Sequence, residues 1–450
     1  MNAAAAPSLP EIRACFEGAI PAMVATCAED GTPNVAFISQ VYYVDERHVA
    51  LSFQFFNKTR RNILANPHGN VLVMDPVTAG FYRLQMRYLR TETEGPLFEG
   101  MKAQLAGIAS HSGMAGVFRL LGSDVYEVEA IERLEGASLP APPRPGLLAG
   151  VRRAAERMAA CGATDELLQA VLATLNDHLG IRHAMVLMLD AAAQRLYAVA
   201  TCGYSTSGVG SEIEIGHGVI GVAARERTPV RISHMTNAAA YSHAVRSSMR
   251  ESEPGLALDT EIPFPGLAEP HSQLAVPILS TGRLLGVLFV ESPLDMRFGF
   301  EDEDALVAIA GHLGAALDLL QTAAEPAAPE EPMAAAAPSA GGSPLAVRHY
   351  LVNNSVFIGD RYLIKGVAGA ILGKLLREHT QQGRCEFTNR ELRLDPALRL
   401  PDLSDNLEAR LVLLQRRLVE NCPHIRIEKT GRGRFRLHVD RPIALEEICA

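Results

Sequence analysis

Residues 322–344, TAAEPAAPEEPMAAAAPSAGGSP, offer almost nothing that a core could bury. Alanine, proline, glycine and glutamate in this mixture form an extended, mobile connector. A second break, SLPAPPRPG at 138–146, places four prolines in nine positions. The 450-residue chain is therefore expected to fold as three units, 1–137, 147–321 and 345–450, rather than around one core. A connector of 23 residues transmits rigid rotations poorly. Signals to the third unit are expected to run through dimer geometry or effective concentration.

Charge follows the same partition. The net charge is -9, yet residues 1–137 carry 11 Lys and Arg against 15 Asp and Glu, 138–340 carry 13 against 23, and 341–450 carry 18 against 13. A basic end on an acidic chain suits a polyanionic partner. Hydrophobic residues make up 48% of the chain, enough for several cores and too many for a disordered one. The seven cysteines (15, 27, 161, 202, 385, 422 and 449) are odd in number, scattered and without CxxC, which predicts free thiols in a reducing compartment and no structural zinc. MNAAAAPSLPEIR lacks the basic and apolar regions of a signal peptide. No apolar run reaches the roughly 18 residues that a membrane span needs. A cytoplasmic location without membrane contact is expected.

The first unit reads as short strands, Met23–Thr26, Asn34–Tyr43 and Val49–Phe55, separated by AEDGTP and VDERH turns. The polar segment NKTRRNILANP comes next, then strands at Val71–Met74 and Tyr82–Glu94, helical character over Pro96–Gly107 and a closing strand at Asp124–Leu134. Many strands around few helices predict a small barrel. The second unit reads as α+β. A helix over 147–161 precedes one over Glu166–Leu179 capped by Thr164 or Asp165; strands Ala184–Asp190 and Leu196–Cys202, a hairpin Gln273–Leu279 with Leu284–Glu291, and a closing helix Asp302–Leu320 follow. In the third unit a strand Tyr350–Ile358 and a helix Lys365–His379 lead to a second helix, Ser404–Glu420. Leu403, Leu407, Leu411, Leu414 and Leu418 form one stripe of that helix. Ile425–Glu428 and Arg434–His438 read as a hairpin turned at Thr430–Gly433, with Ile425, Ile427, Phe435 and Leu437 pointing inward.

These stretches carry three resemblances. ATCAEDGTPNVAFISQVYYVDE, LSFQFFNKTRRNILANPHGNVLV and GSDVYEVEAIERL make 1–137 similar to the pyridoxamine-phosphate-oxidase-like, FMN-binding split barrels. The resemblance implies a homodimer with flavin at the interface. It places the flavin phosphate at Lys58 and Thr59, with Arg60 or Arg61 as a further donor, and the ring and ribityl chain along Ser39, Gln40, Ser52 and Phe53. A dianionic phosphate does want a cation and helix-start donors together. A solvated basic turn is the alternative reading of KTRRN. The basic residues and C-terminal segment by which true oxidases hold pyridoxal phosphate are missing, so pyridoxamine oxidation is not expected.

GHGVIGVAARERTPVRIS, the GRLLGVLFVES hairpin and FGFEDEDALVAIAGHLGAAL make 147–321 resemble a GAF domain, an α/β sandwich that commonly encloses a small ligand. Phe298–Glu303 matches FxxxDE of the cyclic-nucleotide GAF motif, but the Asn-Lys half is absent; Asp302 and Glu303 read as a helix start favoured by the macrodipole. Cys202, His217, His234, His243 and His271 lack ligand spacing, and no metal is expected. Residues 244–270 form a long loop, a candidate lid or partner surface. FIGDRYLIKGVAGAILGKLL, LSDNLEARLVLLQRRLVE and IRIEKTGRGRFRL make 345–450 resemble the winged-helix output domain of response-regulator-type transcription factors. That implies base contacts from Arg410, Gln415, Arg416 and Arg417, and phosphate contacts from Lys429, Arg432 and Arg434. A winged helix used for protein contact is the alternative.

GVAGAILGKLL fails P-loop spacing, because Ala368 stands where glycine is required and no Ser or Thr follows Lys374. SHS at 110–112 is no hydrolase elbow; Ser110–Gly113 reads as a loop or helix break. The fold class expected is multidomain α+β: split β-barrel, GAF sandwich, winged helix. The function expected is a dimeric sensor and transcriptional regulator binding FMN or another small molecule and acting on DNA. An FMN-dependent, flavin-reductase-like oxidoreductase with regulatory later domains is the alternative, although 1–137 supplies no unambiguous acid, base or nucleophile. A scaffold with an empty barrel is the third reading.

Overall fold

The structure, a computed structural model, describes residues 6–17, 20–38, 40–54, 58–111, 119–141, 143, 146–233, 262–323, 343–398 and 406–449. After a 3-10 helix at Pro10–Phe16, the first unit runs β1 (Ala22–Cys27), β2 (Pro33–Ile38), β3 (Val41–Tyr43), β4 (His48–Phe53), α1 (Lys58–Ala65), β5 (His68–Met74), β6 (Phe81–Glu92), α2 (Pro96–His111) and β7 (Gly122–Arg133). The seven strands lie in the order β2-β1-β5-β6-β7-β4-β3. The outer strands β2 and β3 do not pair, so the sheet is a half-barrel and not a closed one. Alternation sorts its residues: Val24, Val49, Leu51, Val71 and Leu84 fill the concave core, whereas Ala50 faces Met101, Leu105 and Leu120 on the α2 side. The polar segment after β4 is a helix, its sole deeply buried apolar side chain Ile63.

The second unit comprises α3 (Leu148–Ala159), α4 (Thr164–Leu179), β8 (His183–Asp190), β9 (Arg195–Cys202), β10 (Glu212–Glu214), α5 (Gly218–Glu226), β11 (Val230–Ile232), β12 (Ser272–Ser280), β13 (Arg283–Ser292) and α6 (Phe300–Ala323). Its sheet has the order β10-β9-β8-β13-β12-β11. Helices cover both faces, α3, α4 and α6 on one and α5 on the other, which is why β8, β9, β12 and β13 read as nearly unbroken apolar runs. A Cβ on Gly314 would stand 2.2 Å from the Leu279 carbonyl oxygen, so glycine there lets α6 close on β12. The position before α4 is Ala163, without a side-chain cap, in place of the expected Thr164 or Asp165. Helix α5 was hidden in the sequence by its two glycines, 218 and 221, and by Gly216 just before it. Over Phe300–Thr322, α6 is long and apolar enough to cross a membrane, yet Leu306, Ile309, Leu313 and Leu317 are buried against the sheet.

The third unit is β14 (Leu345–Tyr350), β15 (Ser355–Ile358), β16 (Arg361–Ile364), α7 (Gly366–Gln382), β17 (Glu386–Thr388), α8 (Asn389–Leu394), α9 (Leu407–Asn421), β18 (Ile425–Gly431), β19 (Arg434–Val439) and β20 (Ile443–Ile448). The strand expected over Tyr350–Ile358 is a hairpin, with a turn at 351–354. Strand β20 returns to pair in parallel with β14, which gives β16-β15-β14-β20 beside a second sheet, β17-β19-β18. Ile425, Ile427, Phe435 and Leu437 are buried as their alternation requires.

The three units do not stand apart. Helix α2 packs on α5 and β11, with Ala103 fully buried in the cluster around α5. Phe300 enters the half-barrel core 6.2 Å from the Tyr43 ring, and Arg231 of β11 ion-pairs with Glu17 before the half-barrel and with Glu303 on α6 at 2.8 Å. One apolar cluster runs unbroken from α4 through β9 into α9 and β19. The three units thus pack directly against one another.

Candidate functional site

Two clusters of cations and one buried carboxylate stand out. At the start of α1, Lys58 and Arg61 are exposed. Thr59 is drawn into the sheet, its hydroxyl accepting from Asn34 Nδ2 at 3.0 Å, while Asn62 Nδ2 donates to Thr26 Oγ1 at 3.1 Å. Arg60 turns inward: it ion-pairs with Asp124, donates to Thr91 Oγ1 at 3.0 Å and lies 3.8 Å over the Phe53 ring. Arg60 is therefore a clasp between α1, β6 and β7, not a phosphate donor. Asp124 and Thr91 were missed because a lone acid and a threonine within strands carry no signal of a helical partner.

The residues expected along a flavin divide between two faces. Register aligns Ser52 with Ser123 across β4 and β7, and the Ser52 amide donates to the Gln40 carbonyl at 3.4 Å. Gln40, Ser52 and Ser123 thus share the α2 face, where Gln40 Nε2 donates to Gln104 Oε1 at 2.6 Å and Gln54 Nε2 to Ser52 Oγ at 3.4 Å. Phe53 belongs to the opposite face with Arg60. Ser39 lies outside the described residues. The Gln40 Oε1 and Ser123 Oγ atoms are buried without a protein partner. The two exposed cations at the start of α1 suit a phosphate, and the two unpartnered polar atoms lie apart from them on the α2 face; Arg60 and Phe53 belong to neither group.

In the second unit, Glu291 is 2% exposed and accepts from the Leu267 amide at 2.7 Å and from Gln273 Nε2 at 3.1 Å. Burial raises its pKa, and burial together with Glu291 raises that of the neighbouring Tyr204 hydroxyl. The Tyr204 ring sits 5.5 Å from His183. Nothing in LFVES marked Glu291 as buried. His217 pairs with Glu214 at 3.0 Å and His271 with Asp295 at 3.2 Å; His234, His243 and all but the last nine residues of the 244–270 loop lie outside the described residues. Among the described residues no cluster of His, Cys, Asp or Glu could hold a metal. Asp302 accepts from the Gly299 amide at 2.9 Å, as a helix-start acid should, while Glu303 serves the Arg231 pair.

The basic helix of the third unit departs most from expectation. Arg410, only 4% exposed, ion-pairs with Asp190 of β8 at 2.8 Å and stacks 4.1 Å from the Tyr197 ring of β9. Arg416 Nη1 donates to the Val199 carbonyl at 2.9 Å. Gln415 donates to the Ile427 carbonyl at 3.0 Å, and Arg417 to that of Leu363 at 3.0 Å. These four side chains are occupied within the chain, so in this arrangement they cannot read base edges as expected. On the β18–β19 hairpin Lys429 and Arg432 are exposed and Arg434 is half-buried; Lys429 lies 3.3 Å from Glu408.

The architecture is a multidomain α+β chain with a half-barrel sheet followed by a GAF-type sandwich. The pyridoxamine 5'-phosphate oxidase model matches residues 8–131 and the GAF domain model residues 163–317, so the chain carries a domain of each kind, and both kinds commonly bind small molecules. No curated protein matches the sequence. Among solved structures, the GAF domain of a phosphoenolpyruvate-protein phosphotransferase from Coxiella burnetii is similar at 22% identity, covering 39% of this chain and 95% of that one (TM-score 0.31). The free methionine-R-sulfoxide reductase of Neisseria meningitidis, solved with its substrate, is similar at 17% identity over 39% and 92% (TM-score 0.30). An FMN-binding protein from Syntrophomonas wolfei is similar to the first unit at 17% identity over 28% and 82% (TM-score 0.23).

Proposed function

We propose that the chain is a ligand-responsive regulator in which the half-barrel and the GAF domain bind small molecules and the third unit acts on DNA. The observation that carries the reading is the third unit itself. Its three strands, helix, short strand, two helices, glycine-turned hairpin with Lys429 and Arg432 exposed, and last strand β20 resemble the outline of a winged helix, and two domain types that commonly bind small molecules precede it. FMN is the ligand proposed for the half-barrel. Lys58 and Arg61 at the start of α1 would hold its phosphate, while the flavin would supply any redox chemistry. A homodimer and a reducing, cytoplasmic setting complete the proposal; the described cysteines are free.

The visible spectrum of the purified chain tests the first half. Flavin bands at roughly 375 and 450 nm are expected, or their gain on adding FMN, with affinity lost at least about tenfold in Lys58→Ala because a charge-assisted contact to phosphate disappears. A colourless chain that takes up no FMN contradicts it. Bleaching of the bands on adding reduced nicotinamide would mark the oxidoreductase reading instead.

A further inference from the structure

Helix α9 is seated on the GAF sheet by side chains that divide into two sets. Gln415 and Arg417 bind carbonyls of β18 and β16, inside their own unit. Arg410 and Arg416 bind across the boundary, to Asp190, Tyr197 and Val199, and Lys365 adds a strap to Glu212 at 3.3 Å. Undocking would therefore leave α9 built into the third unit and break the contacts that two arginines make with the GAF domain.

The seat belongs to the ligand-binding domain. Along β9, Tyr197 and Val199 belong to the cluster that continues into α9, while Leu196 and Ala198 belong to the cluster around α5. One strand is the wall of both compartments. The turn at 208–211 repeats the relation: at Gly210, with φ +90, a Cβ would stand 2.6 Å from Ile262 on one side and 3.5 Å from Leu413 of α9 on the other. At Gly208 a Cβ would clash with Pro265 at 2.3 Å. Loop 262–265, the turn at 208–211 and α9 are thus packed against one another. A ligand favouring a different position of β9 or of this turn would shift the docking equilibrium by its difference in affinity for the two states.

We propose that the α9 dock is an autoinhibitory contact: the GAF domain holds the output helix closed, and release exposes Arg410 and Arg416 to a polyanion. The proposal rests on the DNA-output reading above. Closed, the two guanidiniums meet a carboxylate, a ring face and a carbonyl; open, they lose these contacts, which a phosphate backbone can replace.

Asp190→Lys in the full chain tests it, because the change lies outside the proposed DNA-binding unit and places a like charge against Arg410. Hydrogen exchange over α9 is expected to quicken about tenfold or more, the effect of losing a charged hydrogen-bond partner, with α7 unchanged as the internal measure of folding. Binding to duplex DNA at low salt is expected to tighten about tenfold, to fall steeply with salt, and to lose the gain when Arg416→Ala is added. Unchanged exchange over α9 overturns the clamp. Faster exchange without DNA binding overturns the output reading and leaves the clamp standing. Glu212→Lys, which reverses the charge facing Lys365 at the strap, repeats the test if Asp190→Lys unfolds the unit.

Discussion

The turn into α1 and the helix α9 present the same kind of sequence, KTRR in one and RLVLLQRR in the other, and each is expected to meet phosphate. In the structure Lys58 and Arg61 stay exposed while Arg60 turns into the sheet; on α9, Arg410 and Arg416 turn to the GAF domain and Arg417 to its own unit. The difference lies in what surrounds each segment. Helix α1 is eight residues long and lies on the sheet by one narrow face, so every third or fourth side chain is drawn in and the others remain in water. Helix α9 is sandwiched between α7 and the GAF sheet, and both of its flanks are buried. A cation is available to a ligand only where no second surface claims it.

The largest effect should come from the inward arginine. Asp124→Ala strands Arg60 between β6 and β7, and breaking a buried ion pair of this sort costs about 3–5 kcal/mol. Chemical denaturation should show the loss, and Lys58→Ala three positions from Arg61 should stay within about 0.5 kcal/mol of the wild type. Equal destabilisation by both would erase the contrast between inward and outward cations.

Acid should act on the third unit at a smaller scale. His349 on β14 is 2% exposed, with Gly373 of α7 against its ring and Glu447, Arg377 and Asn354 around it. Burial lowers its pKa below 6.5. The unfolded state therefore takes up the proton first, so this group's contribution is complete above pH 6.5 and is lost as pH falls toward the folded-state value. Unfolding monitored at pH 7 and pH 5.5 should show that loss in the wild type and a smaller one in His349→Gln. Least of all, Arg432→Ala on the exposed hairpin should leave stability unchanged and lower the salt slope of DNA binding by about one.

What could be read from the sequence follows from how local the determining physics is. Alternation in IRIEKTGRGRFRL and the apolar runs of β8, β12 and β13 placed those strands to within a few residues, because burial pattern and turn chemistry act over neighbours. The leucine stripe of α9 was legible, but its second partner was not: Asp190, Tyr197 and Val199 lie more than 200 positions away. The run Asn34–Tyr43, read as one strand, becomes β2 and β3 at opposite edges of the half-barrel, because the order between them is set by pairings such as β1 with β5 and β4 with β7, far apart in sequence, which no short motif reports. Parallel pairing of β20 with β14 was missed for the same reason. Around α1 and β4, Lys58 and Thr59 could be read as a motif, whereas Asp124, Thr91, Gln104 and Ser123 come from three other elements and enter only through tertiary pairing.

Arginine-selective labelling of the intact chain with a dicarbonyl reagent, read by peptide mass spectrometry, tests the central contrast most directly. Arg61 should be modified fast and Arg60, Arg410 and Arg417 slowly, with Arg410 and Arg416 accelerating in Asp190→Lys while Arg417 does not. Labelling of Arg410 in the wild type at the rate of Arg61 would contradict the docked helix.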